Sequence, residues 1–180
     1  MKKSLLVFLF IVSIFPCGFC TQRLGFGFDL AAVQDLLTGQ GSYQLGLDLR
    51  ATGSDEFQLR VPIACTFNGF STFVETGAML VYYPWGNGPF MGLSLFQAGF
   101  SSGSGNLPNM VTLNEVHLGW CFEFGPGLFI EPSLIIRDPS GTFTDEYSSL
   151  KGEYPCYTTF RGKLTFGWNF WSKNETQDKT

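Results

Sequence analysis

Between Phe160 and Trp171 the chain alternates almost without a break. Phe160, Gly162, Leu164, Phe166, Trp168 and Phe170 share one parity; Arg161, Lys163, Thr165, Gly167 and Asn169 share the other. Side chains on a strand point alternately to its two faces, so this segment predicts a strand with one oily and one polar face. The same two-residue period recurs near 23–30, 43–50, 57–66, 72–83, 89–100, 110–124 and 128–137, and with 158–171 makes eight segments. An even number of two-faced strands predicts an all-β chain, closed as an eight-stranded antiparallel up-and-down transmembrane β-barrel. Two places disturb the period. Leu95 and Phe96 are adjacent, which predicts a bulge or register break there. Pro62 lies inside the third segment, where its missing N–H predicts a lost ladder bond or a bulge.

The links between segments fall into two classes. Residues 51–56, 84–88 and 125–127 are short, and two of the three are dense in Gly and Pro, the chemistry of tight turns. Links 31–42, 101–109 and 138–157 are longer, and only 67–71 on that side is as short as a turn. Segment 31–42, with Asp35-Leu36-Leu37, is a candidate for a short helical turn. Short turns at one end and longer loops at the other is the layout of an outer-membrane barrel.

Parity also sorts the chemistry. One face collects Phe26, Phe28, Leu45, Leu47, Leu49, Leu59, Val61, Val74, Leu80, Leu118 and their like. The opposite face carries the polar set: Arg23, Asp29, Asp48, Arg50, Arg60, Glu75, Glu115, His117, Glu123, Glu131, Arg137, Arg161 and Lys163, with Gln44 and Gln58. Six acids match six bases within that set. A water-facing surface has no need of such matching. A narrow interior does, because a charge taken from water must be paired or costs several kcal/mol. The polar face is therefore expected inside, as a charge-paired network, and the oily face outside against lipid.

The aromatic residues point the same way. Tyr82, Tyr83, Trp85, Trp120, Trp168 and Trp171 all fall at the turn end, as do Phe90, Phe122, Phe124 and Phe129, and predict one membrane-interface girdle. A thinner set at the loop end comprises Phe67, Phe70, Phe73, Phe96 and Phe100.

Composition then narrows the class. Only 14% of residues are charged while 17% are aromatic, which is sparse in charge for a water-soluble domain. Lys2 and Lys3 precede the apolar run 5–15, followed by Pro16-Cys17-Gly18-Phe19-Cys20, which resembles a secretory signal over 1–20. The barrel is expected over 21–171 and a polar tail over 172–180. A rival use of the leader, lipidation of Cys17 or Cys20 on a periplasmic β-domain, predicts palmitate labelling there. The formal charge of −4 and the lack of a basic cluster disfavour nucleic acid as a partner. Cys65, Cys121 and Cys156 show no metal spacing, and their pairing is open among three combinations.

At this point the chain resembles the small eight-stranded bacterial outer-membrane barrels of the OmpX, OmpW and OmpA-transmembrane type. The aromatic-rich last strand, 160–171, carries the resemblance, since it looks like the C-terminal sorting strand of those proteins. The nine polar residues after Trp171 depart from that pattern. What the resemblance implies is an integral protein of the outer membrane of a double-membraned bacterium. It would be monomeric, with the bilayer and, through its last strand, the barrel-assembly machinery as partners.

No enzyme constellation is expected. His117 is the sole histidine, beside Glu115 on the polar face, and no nucleophile with an orienting partner is discernible. The chain is thus read as non-catalytic, without cofactor or metal. Envelope integrity, surface interaction through 101–109 and 138–157, or passage of a small apolar solute are the expected roles. The alternative is a secreted, soluble lipocalin-like barrel binding an apolar ligand, with the two faces inverted.

Overall fold

The computed structural model describes residues 23–30, 35, 36, 39, 41–102, 109–125 and 127–172, with the side chains of 171 and 172 excepted. The expected leader 1–20, its Cys17 and Cys20, and the tail beyond Ser172 lie outside the described residues, as does most of loop 101–109. The strands are β1 (Arg23–Asp29), β2 (Tyr43–Thr52), β3 (Phe57–Phe67), β4 (Thr72–Tyr82), β5 (Gly88–Ser102), β6 (Met110–Leu113), β7 (Glu115–Phe124), β8 (Leu128–Arg137) and β9 (Phe160–Ser172). One helix, α1 (Thr144–Glu153), lies in the longest loop.

Every strand pairs antiparallel with its neighbour, β4 joins β5, and β1 joins β9, so the sheet closes on itself. Strands β6 and β7 are one stave broken at Asn114, which makes eight staves in all. The barrel thus takes in Ser172, which pairs with Arg23.

The disturbed positions are where the ladder yields. Ala78 faces Phe96 but Met79 faces Ser94, so Leu95 is an extra residue on β5, and the expected bulge is present. Leu95 and Phe96 both point outward as a result. The same bulge spoils the match with the next stave, and Asn114 falls in that gap. Pro62 brings no bulge. The β3–β4 pairing stops after Arg60–Met79 and resumes at Ile63–Thr76 in the same register. Pro132 in β8 does likewise, because the β7–β8 pairing skips from Gly119–Ser133 to Phe122–Ile130. A proline has no N–H to donate, so each ladder loses pairs locally and keeps its register.

Parity decides which way side chains face. Leu118 is 42% exposed and Phe166 43%, whereas Arg60 is 3% and Glu131 1% exposed. The oily set lies outside and the mid-strand members of the polar set inside. Three rings placed by level in the aromatic girdle belong inside instead: Tyr83, Phe90 and Phe129 are buried, and Phe73 of the loop-end set is buried too. Phe73, Phe90 and Phe129 sit on the inward parity of their strands, so position along the axis does not override face. Glycines make room for them. A Cβ at Gly99 would collide with the Phe73 ring, and one at Gly167 with the end of Phe129.

The long loop 138–157 does not stand free. Asp138 adopts a left-handed turn (φ 52°), and its carboxylate accepts from the Phe143 N–H and the Thr144 hydroxyl, starting α1. Asp145 and Glu146 in the first turn and Lys151 in the last suit the helix dipole. Leu150, Tyr154, Cys156 and Tyr157 then pack with Phe73, Val111 and Leu113 as a buried cluster at the loop end. Tyr147 stitches α1 to the broken stave: its hydroxyl donates to the Asn114 carbonyl at 2.6 Å and accepts from the Asn114 N–H at 3.1 Å. The N–H and C=O stranded by the break are thereby satisfied.

Candidate functional site: the barrel interior

The polar face converges on the axis in two groups. On the turn side Glu131, from β8, is gripped by Arg60 of β3 through Nη1 at 3.0 Å and Nη2 at 2.9 Å, a two-pronged contact. Arg50 of β2 donates to the same carboxylate at 2.6 Å. The Tyr83 hydroxyl accepts from Arg60 at 2.6 Å and donates to Glu131 at 3.0 Å. Gln58 accepts from Arg60 Nε at 2.6 Å. Both guanidinium groups lie over rings, Arg50 4.0 Å from the centre of Phe129 and Arg60 4.8 Å from that of Phe90. Burial keeps the Tyr83 phenol above its ordinary pKa, Arg60 opposing and Glu131 adding to the shift, so it remains a donor.

The middle of the barrel is bridged by Lys163, which donates to both Asp48 oxygens at 3.2 and 3.1 Å. Above it, on the loop side, Arg137 Nε donates to Glu115 at 2.8 Å, and His117 Nε2 lies 3.2 Å from the other Glu115 oxygen. Glu75 accepts from Gln44 at 2.6 Å and from the Tyr157 hydroxyl. The Arg137 guanidinium stacks 3.7 Å above the Tyr157 ring. Arg161 donates to Asp35 at 2.7 Å and to the Cys156 carbonyl at 3.1 Å. Burial, and then the nearby acids Glu75 and Glu115, hold the phenols of Tyr157 and Tyr147 well above the usual tyrosine range. Both therefore remain hydrogen-bond donors.

The structure brings Asp48, Arg50, Arg60, Glu75, Glu115, His117, Glu131, Arg137, Arg161 and Lys163 into this interior. It does not bring in Arg23 and Glu123. They pair with each other at 3.6 Å at the turn-side mouth, with side chains 48% and 43% exposed, because each lies at the end of its strand. Asp29, at the loop-side end of β1, is half-buried. Three participants come from connections rather than strands: Asp35, Tyr83 and Tyr157. Alternation carries no signal for them, since a turn or loop has no fixed period.

Of the girdle residues, Tyr82, Trp85, Trp120 and Trp168 are exposed at the turn end, with Trp120 stacked on Phe122 at 6.1 Å and Phe57 against Tyr82 at 5.1 Å. Trp171 has only its backbone described, opposite Leu24. Cys65, Cys121 and Cys156 are free thiols.

Chemically, the interior pairs charge and fills space. Two strata of side chains, together with Phe129, Phe90 and Phe73, occupy the axis. At the turn end there is a vestibule of about 40 Å³, lined among others by Arg50, Gln58, Asn169, Asp55 and Glu123. No family model matches the chain, and no curated protein or solved structure matches it either.

Proposed function

We propose that this chain is an integral outer-membrane β-barrel, non-catalytic, that anchors a closed loop-end cap in the bilayer. One observation carries the reading: every stave turns large hydrophobic side chains outward. They include Phe28, Leu49, Phe57, Val74, Leu93 and Leu118, continued by Leu134 and Phe166, while the buried charges point to the axis. An apolar surface that runs right round a molecule is far larger than the patches tolerated in water, and suits acyl chains. Strands of 10 or 11 residues, such as β2, β3, β4, β7 and β8, match a tilted bilayer crossing. Among the described residues no helix is long and apolar enough to cross, so crossing would fall to the strands.

The outward orientation favours this reading over a soluble barrel that holds an apolar ligand, which needs its oily face inward. Among the three roles considered, an envelope-stabilising or surface-presenting one gains more support than passage of a solute. The axis is occupied by the Arg50–Glu131–Arg60 cluster and capped by Tyr157 and α1. Localisation in an outer membrane, and assembly through the last strand, belong to the same proposal.

The test is labelling of a Leu118→Cys variant of the full chain, folded into lipid vesicles. Read at position 118 by peptide mass, apart from the native free thiols Cys65, Cys121 and Cys156, a lipid-soluble maleimide is expected to react and a sulfonated, water-soluble one to fail. Equal reaction with both reagents overturns the reading. A Leu118→Arg companion is expected to lose roughly 2–4 kcal/mol of stability in vesicles.

A further inference from the structure

The two halves of the interior differ in their balance of charge. On the turn side two guanidinium groups, Arg50 and Arg60, grip one carboxylate, Glu131. Asp48 and Lys163 pair between the halves. On the loop side three acids meet two guanidinium groups. Arg137 is taken by Glu115 at 2.8 Å and Arg161 by Asp35 at 2.7 Å, which leaves Glu75. Its carboxyl is buried, and neutral donors meet both oxygens, the Gln44 amide and the Tyr157 hydroxyl; among the described residues no cation touches it. The other inward groups at this end do not make up the difference. Gln44, Thr66 and Gln97, from β2, β3 and β5, are uncharged. His117 of β7 lies against Glu115, Tyr147 of α1 is a phenol, and Asp29, half-buried at the end of β1, is a further acid.

A carboxylate shut away from water without a cation is costly, and taking up a proton removes that cost. What shuts Glu75 away is the long loop. The Tyr157 hydroxyl sits on the carboxyl, and Leu150, Tyr154 and Cys156 cluster with Phe73, two residues along the same strand. We infer that segment 138–157 is a pH-sensitive lid, which closes with the uptake of one proton at Glu75 and loosens when that proton is lost. A raised lid leaves Glu75 in water, where a glutamic acid is ionised above about pH 4.3. Closing then requires a proton, so closure weakens as pH rises. The turn-side cluster contains no residue of the lid, and the barrel stays filled at that end whether the lid is up or down. The lid acts on the interior alone, so the device is independent of what wets the outer wall.

The experiment uses the full chain folded in detergent. Cys156 lies within the lid at 2% exposure and serves as the reporter. Its alkylation by N-ethylmaleimide is read by peptide mass, apart from Cys65 and Cys121, and divided by its rate in the urea-unfolded chain at the same pH. That ratio removes the thiol's own ionisation. Between pH 5 and pH 8 the ratio is expected to rise about tenfold in the parent. Glu75→Gln, the uncharged counterpart, is expected to keep it low and flat across the same range. A flat ratio in the parent overturns the inference, and this arm stands even if Glu75→Gln does not fold. A slope that persists in Glu75→Gln overturns it as well; its loss in His117→Gln would then place the proton on His117. A Glu75→Gln ratio above the parent's at pH 8 also sinks it, because the ionised carboxylate would then be what holds the lid down.

Discussion

The two halves of the barrel interior solve one problem with different materials. On the turn side Arg50, Arg60 and Glu131 all stand on strands, and Phe90 and Phe129 stack beneath the guanidinium groups. Only Tyr83 comes from a turn. On the loop side Glu75, Glu115 and Arg137 stand on strands, but Tyr157 and Asp35 arrive from connections, and α1 packs above them. The turn side is thus a self-sufficient ion cluster, made by the barrel wall alone. The loop side is completed only when its longest connection folds back. Buried charge fixes the first half, while the second depends on a segment that can in principle lift away without opening the wall.

That contrast can be tested by breaking each half in turn. The largest effect is expected from Glu131→Ala, which strands Arg50 and Arg60 in the interior. Removing one partner of a buried ion pair costs about 3–5 kcal/mol, and here Arg60 loses its carboxylate while Arg50 keeps only the longer 3.5 Å contact to Asp48. Urea unfolding in detergent should show a collapse of stability, whereas a loss below about 1 kcal/mol would mean that water already screens the cluster.

A smaller loss is expected from Tyr157→Phe, which keeps the ring under Arg137 and removes the donor to Glu75. Leaving a buried carboxylate short of one bond costs about 1–3 kcal/mol. Proteolysis should then cut within 138–157 sooner, with the gel mobility of the folded barrel unchanged. Cutting at the parent's rate would contradict the dependence of this half on the loop.

Smaller again is Tyr147→Phe, which leaves the Asn114 N–H without its acceptor while the Asn114 C=O keeps the Asp138 N–H at 3.1 Å, and it is expected to cost about 1 kcal/mol. Amide exchange should quicken near Asn114 and in α1 and stay unchanged at Arg60 and Glu131. Quickening spread over the whole barrel would show the two halves to be one cooperative unit.

The mildest perturbation is alkaline pH. The folded values of Tyr147 and Tyr157 lie above the ordinary ~10 of a free phenol, so docking favours the protonated form. Their contribution is present in full below about pH 10 and declines as pH rises beyond it. Protease sensitivity of 138–157 should therefore grow above that pH, and flat sensitivity up to pH 11 would argue against tight docking.

Much of the wall could be read from alternation. The strand limits lie within a few residues of the two-residue period, and the adjacency of Leu95 and Phe96 marked the bulge. The misplacements are instructive. Level along the axis groups Phe90, Phe129 and Tyr83 with the girdle and Phe73 with the loop-end aromatics, although inward parity sends the three phenylalanines inside and the turn at Tyr83 swings its ring the same way. Arg23 and Glu123 share the polar parity yet stay at the wet rim, since a strand end has no wall around it. The capping role of 138–157 was not legible. Its buried Leu150, Tyr154 and Tyr157 follow no strand period, and what covers them lies far off in the chain.

Local order came from the chain itself: alternation assigns neighbouring side chains to opposite faces whatever else happens, because strand geometry is set residue by residue. Three things waited on tertiary structure. Closure of β1 on β9 enclosed the polar face. Convergence of staves 71 residues apart let Arg60 meet Glu131. The descent of α1 sealed the loop end. Each concerns atoms distant in sequence, and no two-residue period encodes which distant carboxylate a given guanidinium will find.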